Sequence, residues 1–489
     1  MIQAFPQTHI EGVLTGFAAI GKHKFPGSVD YNALAQGYTI KGAGKNMWFG
    51  TDDFNFLYKK LQGDFILTAR LKFVGPGVDP HRKAGWMVRH SLETNTIYAD
   101  AAVHGGDGLT SLQYRDSIDG MTKEVAMKGM AADILRLERT GNILIFTAAR
   151  FGEPLKEVGR LELNIGKEVY AGLFVCSHNE DVVEEVQFTN VRIEIPAPAN
   201  FVPYKSVFGS RMEILDIASG NRKVIYESPE IFEAPNWSPD GKSLIYNSKG
   251  LLYKIPVNGG TPELINTGVA NALNNDHGIS FDGKWIAMSH HSKDLEPGKN
   301  SLIYVVPING GEARQVTKTG PSYWHGWSPD GKWLAYVGGR NNSNNYDIYK
   351  IPAKGGKEIR LTTADCLDDG PEYSPDGKYI YFNSCRSGKM QIWRMKPDGS
   401  SQERVTNGEF NDWFPHISPD GKKMVFISFG DDVAPGDHPP CKRVLLRMLD
   451  LEKGGEPVVV AYLYGGQGTI NVPSWSPDSK QVAFVSYSF

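Results

Sequence analysis

A five-residue phrase recurs six times in the later part of this chain, and it narrows the possible folds more than any other feature. The copies are Trp237-Ser-Pro-Asp-Gly241, Ile279-Ser-Phe-Asp-Gly283, Trp327-Ser-Pro-Asp-Gly331, Tyr373-Ser-Pro-Asp-Gly377, Ile417-Ser-Pro-Asp-Gly421 and Trp475-Ser-Pro-Asp-Ser479. Their aspartates stand at 240, 282, 330, 376, 420 and 478, so most units are forty-odd residues long. A repeat of that length built from short strands marks a β-propeller. Each unit runs on through a strand such as Tyr379-Ile-Tyr-Phe-Asn-Ser384, a loop, a strand such as Gln391-Ile-Trp-Arg-Met395, and a turn such as Asn258-Gly-Gly260. In the phrase, proline presets φ and glycine takes the conformation other residues resist. The phrase therefore reads as a hairpin corner, and its serine as a turn residue, not a nucleophile.

Ring closure can be counted. The sixth copy is followed by Val482-Ala-Phe-Val-Ser486 and supplies only two inner strands. Residues 211–217 and 223–226 are two strands with no preceding phrase, and they provide the missing outer pair. Six blades then close, which removes exposed sheet edges.

Residues 1–195 carry no such repeat. In Asp64-Phe-Ile-Leu-Thr-Ala-Arg-Leu-Lys-Phe73, Phe65, Leu67, Ala69, Leu71 and Phe73 alternate with Ile66, Thr68, Arg70 and Lys72. Period-two patterning with Gly/Asp turns predicts a sandwich of two antiparallel sheets. Between the two regions, Ile195-Pro-Ala-Pro-Ala-Asn-Phe-Val-Pro203 holds three prolines and reads as a stiff extended connector. The expected architecture is all-β: a sandwich over 1–195, a proline-rich linker over 196–204 and a six-bladed propeller over 205–489. The composition agrees, with 54 Gly, 29 Pro and 11% aromatic residues. A net charge of −3 gives no attraction to nucleic acid or anionic membranes, and no apolar run is long enough for membrane insertion. Met1-Ile-Gln-Ala-Phe-Pro6 does not read as a signal peptide. Among four cysteines, Cys176 lies in an apolar run and reads as a buried thiol; Cys366 and Cys385 can pair, but spacing alone does not fix connectivity.

The repeats over 206–489 resemble the TolB-type propeller repeats. That resemblance implies the fold; the family serves as scaffold, peptidase gate or polysaccharide-lyase domain. The runs Lys83-Ala-Gly-Trp-Met-Val-Arg89, His104-Gly-Gly-Asp-Gly108, Tyr170-Ala-Gly-Leu-Phe-Val-Cys-Ser-His178 and Asn190-Val-Arg-Ile193 look like the concanavalin/laminin-G-like sandwiches, which often accompany bacterial carbohydrate-active proteins. The repeats and a histidine enrichment at the channel are also distantly similar to oligogalacturonate lyases, which implies acidic-sugar chemistry at a metal centre.

Aligning the six phrases on their serine shows what each blade offers to the channel. Three positions earlier stand Pro235, His277, His325, Pro371, Pro415 and Pro473; two positions earlier stand Asn236, Gly278, Gly326, Glu372, His416 and Ser474. The turn and strand need none of these imidazoles and carboxylates. His277, His325, Glu372 and His416 are therefore the candidate catalytic residues, and His277, His325 and His416 the candidate ligands of a divalent metal. The same groups can equally line a hydrated polar channel. Asn236, Tyr323, Arg340, Asp369, Arg386 and Trp413 are the candidate substrate-binding residues: the arginines to clamp a carboxylate, Tyr323 and Trp413 to stack on a sugar ring. The loop near residues 431–442, with Pro435, Pro439 and Pro440, is expected to form a rim or lid.

In the sandwich, Arg89, His90, His104, Asp107, Gln113 and Arg115 form a polar group, either a saccharide groove or a solvated sheet face. No P-loop, dinucleotide fingerprint, H-E-x-x-H, EF-hand or G-x-S-x-G pattern occurs. The expected function is that of a periplasmic or extracellular glycan-handling protein. It would bind a saccharide, with uronic acids among the options, at the histidine-rich mouth, with lyase or hydrolase chemistry in view. The alternative is a TolB-like scaffold that binds protein partners and catalyses nothing.

Overall fold

A computed structural model describes residues 10–22, 24–203, 205–340 and 345–489. The opening hexapeptide and the loop residues Asn341, Asn342 and Ser343 lie outside the described residues. Every regular element among the described residues is a strand, and no helix is long and apolar enough to cross a membrane. The chain falls into two compact units, Met1–Pro196 and Ala197–Phe489.

The first unit contains two seven-stranded antiparallel sheets. One runs Gly16–Ile20, Phe54–Gln62, Glu168–Cys176, Lys83–Arg89, Tyr98–His104, Thr110–Arg115, Lys123–Met127. The other runs Lys156–Glu162, Ile143–Ala149, Ile134–Thr140, Phe65–Val74, Glu184–Glu194, Gly37–Gly42, Ser28–Asn32. One core joins them: Leu57, Trp86, Ala101 and Leu173 from the first sheet meet Phe65, Leu67, Leu137 and Phe188 from the second. The period-two side of Phe65–Val74 that sequence marks as apolar is the side that faces this core, as alternation across a pleat requires. Arg89 and Arg115 are not groove residues. Both converge on Asp52, at 3.1 and 2.7 Å, and all three side chains are fully buried. Burying these charges is tolerated because each guanidinium has the shared carboxylate and backbone carbonyls as partners.

Residues 196–203 contain no strand. The segment turns: Phe201 N donates to Pro198 O at 2.9 Å, and Ser206 N to Val202 O at 3.0 Å. The three prolines limit φ without forcing extension.

The second unit is a six-bladed propeller. Five blades are four-stranded sheets, from Glu233–Trp237 of the first to Val458–Gly465 of the fifth. The sixth joins both ends of the repeat region: Gln481–Ser488 pairs along its whole length with Gly209–Asp216, which pairs with Arg222–Ser228. Its innermost strand is reduced to a bridge between Trp475 and Val482. Cys366 and Cys385 are joined in a disulfide with Cα atoms 5.8 Å apart, while Cys176 is a buried free thiol.

The recurring phrase is a clamped turn. Ser238 Oγ donates to Asp240 Oδ1 at 2.6 Å and accepts from Ser243 N at 2.9 Å, and Lys242 N donates to the same carboxylate. The serine–aspartate bond recurs in all six blades. Gly241 sits at φ +70°, and in the sixth blade Ser479 adopts the same left-handed conformation at +61°.

Candidate functional site

Each inner strand of the five complete blades carries a bulge, and the bulges decide what faces the axis. In the first, fourth and fifth blades two residues intrude: 234–235, 370–371 and 414–415. In the third blade only His325 is left out of the ladder, between Trp324↔Tyr336 and Gly326↔Ala335. In the second blade three residues, 274–276, stand opposite Ser289 alone, and His277 is back on the ladder opposite Met288. A bulge frees a side chain from the alternation of its strand and re-aims it.

Residues in and beside these bulges meet in a cavity of about 280 Å3. Asn274 and Asp276 come from the second blade, Tyr323 and His325 from the third, Asp369 from the fourth, Phe414 from the fifth and Asn471 from the sixth. Contributions from five blades place this cavity on the propeller axis. Tyr346, His438 and Gln467 complete its polar wall. His438 arrives on the proline-rich loop expected to form a rim.

The centre of the cavity is an ion pair flanked by a second carboxyl group. His325 Nε2 lies 3.1 Å from Asp369 Oδ1, and Gly370 N donates to that same oxygen at 2.6 Å. The His325 ring stacks on Phe414 at 5.9 Å between centroids. Burial disfavours the imidazolium, but the charges of Asp276 and Asp369 outweigh it and raise the His325 pKa. Asp369 is shifted the other way: burial works against its ionisation, yet the hydrogen bond and charge of His325 hold it below its ordinary value. Asp276 is pushed up to about 6, chiefly by burial, although it interacts favourably with His325 and accepts a 2.6 Å hydrogen bond from Asn274 Nδ2. Two carboxyl groups beside one imidazole are thus displaced in opposite directions, the pattern that separates an acid from a base.

Of the ten residues singled out in the sequence, Tyr323, His325 and Asp369 line this cavity. The other seven stand elsewhere. His277 is fully buried between two blades, its Nδ1 3.0 Å from Asn275 O and its Nε2 3.3 Å from Ile245 O; burial lowers its pKa to about 4. His416 and Glu372 bind each other across a blade boundary, Nδ1 to Oε2 at 2.5 Å, and Ile417 N donates to the other Glu372 oxygen at 2.9 Å. Asn236 holds the matching place between the first and second blades, accepting from Ile279 N at 3.2 Å. In the first, fourth and fifth blades the residue two before the serine is therefore an inter-blade latch. Arg340 forms a two-point pair with Glu358, and Arg386 one with Asp368, so neither guanidinium faces the cavity. Trp413 is fully buried, its ring 4.3 Å from that of His438. The expected convergence of four histidine and glutamate side chains is thus divided: one reaches the cavity, two latch blades together, and one packs between sheets.

Sequence reading missed Asn274, Asp276, Phe414, His438 and Gln467. Only Asn274 and Asp276 carried a signal: the polar run Asn274-Asn-Asp-His277 is too hydrophilic for an inner strand, which marks a departure from the ladder.

A model of the TolB beta propeller domain matches residues 297–434. An uncharacterized protein of Agrobacterium fabrum, Atu1656, is 50% identical over 279 residues, covering 57% of this chain and 92% of that protein. A solved structure provisionally assigned as TolB from Agrobacterium tumefaciens is 49% identical, covers 58% of this chain and 99% of its own, and superposes with a TM-score of 0.53. TolB from Acinetobacter baumannii is 17% identical with a TM-score of 0.39, over 66% of this chain and 79% of that one.

Proposed function

This chain belongs to the TolB-like β-propeller family, and from that premise we propose that its propeller binds a neutral saccharide unit at the axial cavity. The observation that carries the reading is the arrangement of Asp276, His325 and Asp369 in one pocket with aromatic and amide walls. Tyr323, Tyr346 and Phe414 supply flat apolar surface, and Asn274, Gln467 and Asn471 supply both donors and acceptors, which suits a ring bearing hydroxyl groups. A neutral sugar is favoured over a uronic acid on charge grounds. Among the described residues the cavity wall contains no lysine or arginine, and the His325 charge is already matched by Asp369. Asp276, protonated up to about pH 6, is suited to donate a proton to a glycosidic oxygen, with Asp369 as the ionised partner. Hydrolysis is accordingly the chemistry this reading allows; a lyase acting on a uronate lacks its cation here. A periplasmic or extracellular setting forms part of the proposal, and the Cys366–Cys385 disulfide supports it.

The test is isothermal titration of the whole chain with a panel of neutral oligosaccharides, followed by chromatography of the mixtures. At least one sugar should bind, with affinity falling about tenfold or more in Asp369→Asn and in His325→Ala. A panel with no binder, or one bound equally by both variants, removes the reading.

One observation favours a second reading, that the propeller is a scaffold for protein partners: the relative at 49% identity carries a provisional TolB assignment. A protein co-purifying at one-to-one ratio with wild type and His325→Ala alike would favour it.

A further inference from the structure

The first unit holds a cluster of imidazoles and carboxylates unrelated to the propeller cavity. Three loops meet at one end of the sheet that contains Lys83–Arg89 and Tyr98–His104: residues 79–82, 104–108 and 176–179. Backbone bonds tie the first two, Gly105 N to Arg82 O at 2.7 Å and Gly106 N to Pro80 O at 3.1 Å. The approach is so close that a Cβ on Gly106 would lie 2.3 Å from Pro80 Cα, so only glycine fits there.

This junction brings His81, His104 and Asp107 together. One potential ligand atom from each lies within 4.8 Å of the others. His104 Nδ1 is 3.4 Å from Asp107 Oδ1, His81 Nδ1 is 3.9 Å from Asp107 Oδ2, and the two imidazole rings stand edge to face at 5.6 Å. His178 flanks the group with its ring 5.5 Å from that of His81, and its Nδ1 is 3.5 Å from Asp79.

The independent sign of a ligand is His104 itself. It is 8% exposed, and neither of its ring nitrogens is hydrogen-bonded. Buried imidazoles ordinarily satisfy at least one nitrogen, because an unpaired polar group away from water is costly. Lys83 stands opposite His104 across the strand pair and donates to Gln113 Oε1 at 2.9 Å. Its single positive charge is outnumbered by Asp79 and Asp107.

We propose that His81, His104 and Asp107 form a binding site for a divalent transition metal of the Zn2+ class. Two imidazole nitrogens and one carboxylate oxygen are a donor set that zinc accepts, with ligand distances of about 2.0–2.2 Å. The buried His104 is the fixed point. His81 and Asp107 are exposed and can close the gap by side-chain rotation. Three protein ligands leave a coordination position for water or a substrate group. Asp79, which accepts from His81 N at 2.8 Å, fixes the loop that carries one ligand.

The test uses the full chain, stripped with chelator, and Zn2+ alone. Titration calorimetry should give one equivalent, and Co2+ in its place should produce a visible ligand-field band. His81→Ala and Asp107→Asn lie at exposed positions and should keep the fold, while weakening Zn2+ binding at least tenfold and removing the Co2+ band. His325→Ala should change neither. Absence of Zn2+ binding, retention in both exposed variants, or a response to Ca2+ without a Co2+ band each overturns the proposal.

Discussion

His325 and Asp369 face each other across a blade boundary, Nε2 to Oδ1 at 3.1 Å, while His277, which the repeat places in register with His325, is walled in between two other sheets. The difference is one residue of bulge, since the second blade has two extra residues and the third has one. One residue leaves the ladder in the third blade and three in the second, so identical distances from the phrase serine lead to opposite surroundings. From this pair follow the expected behaviours of the site and its frame.

Ligand binding at the axial cavity should depend on pH with a midpoint near 6, set by Asp276. Affinity measured from pH 4.5 to 8 should show that inflection in wild type and lose it in Asp276→Asn. An unchanged profile in the variant would assign the titration to another group.

Asp276 and His277 should act on stability in opposite pH ranges. The folded pKa of Asp276 is raised, so its contribution is full below the unfolded value near 4 and is lost as pH rises through about 6. His277 is lowered to about 4, so its contribution is full above the unfolded value near 6.5 and is lost as pH falls toward 4, by roughly 3 kcal/mol. Denaturant melts of His277→Gln should show lower stability at pH 7 and a flatter acid limb than wild type.

Glu372 should matter for stability and little for the cavity. Glu372→Ala leaves His416 and the Ile417 amide without their carboxylate, at a cost of about 2–4 kcal/mol. Urea unfolding gives the loss, and saccharide affinity of the folded variant should stay within about twofold of wild type.

Removal of the disulfide should lower the melting point without unfolding the ring. Its closed loop spans 19 residues, for which chain entropy predicts about 3 kcal/mol. Calorimetry of Cys366→Ser/Cys385→Ser against oxidised wild type measures it.

Arg340 and Arg386 show why the site was only partly legible. Their chemistry suited a carboxylate clamp, but each found one within its own blade, in Glu358 and Asp368. A charged side chain near a mouth takes the carboxylate that geometry offers, and linear order does not say which that is. Asp369 and Tyr323 were found because, five before the serine, they still sit on the ladder ahead of their own blades' bulges, whereas Asn275 at the same offset falls inside the bulge of the second blade.

The amino-acid order by itself determined the all-β architecture, the six blades and the closure of the last one by strands from both ends of the repeat. Those are properties of period and turn chemistry, and the Ser-Pro-Asp-Gly corner imposes them locally. Only the tertiary structure decided which side chains share the axial cavity and that His81, His104 and Asp107 meet. Bulge lengths and loop junctions are set by how strands pack against their neighbours, and packing couples residues whose separation along the chain carries no fixed pattern.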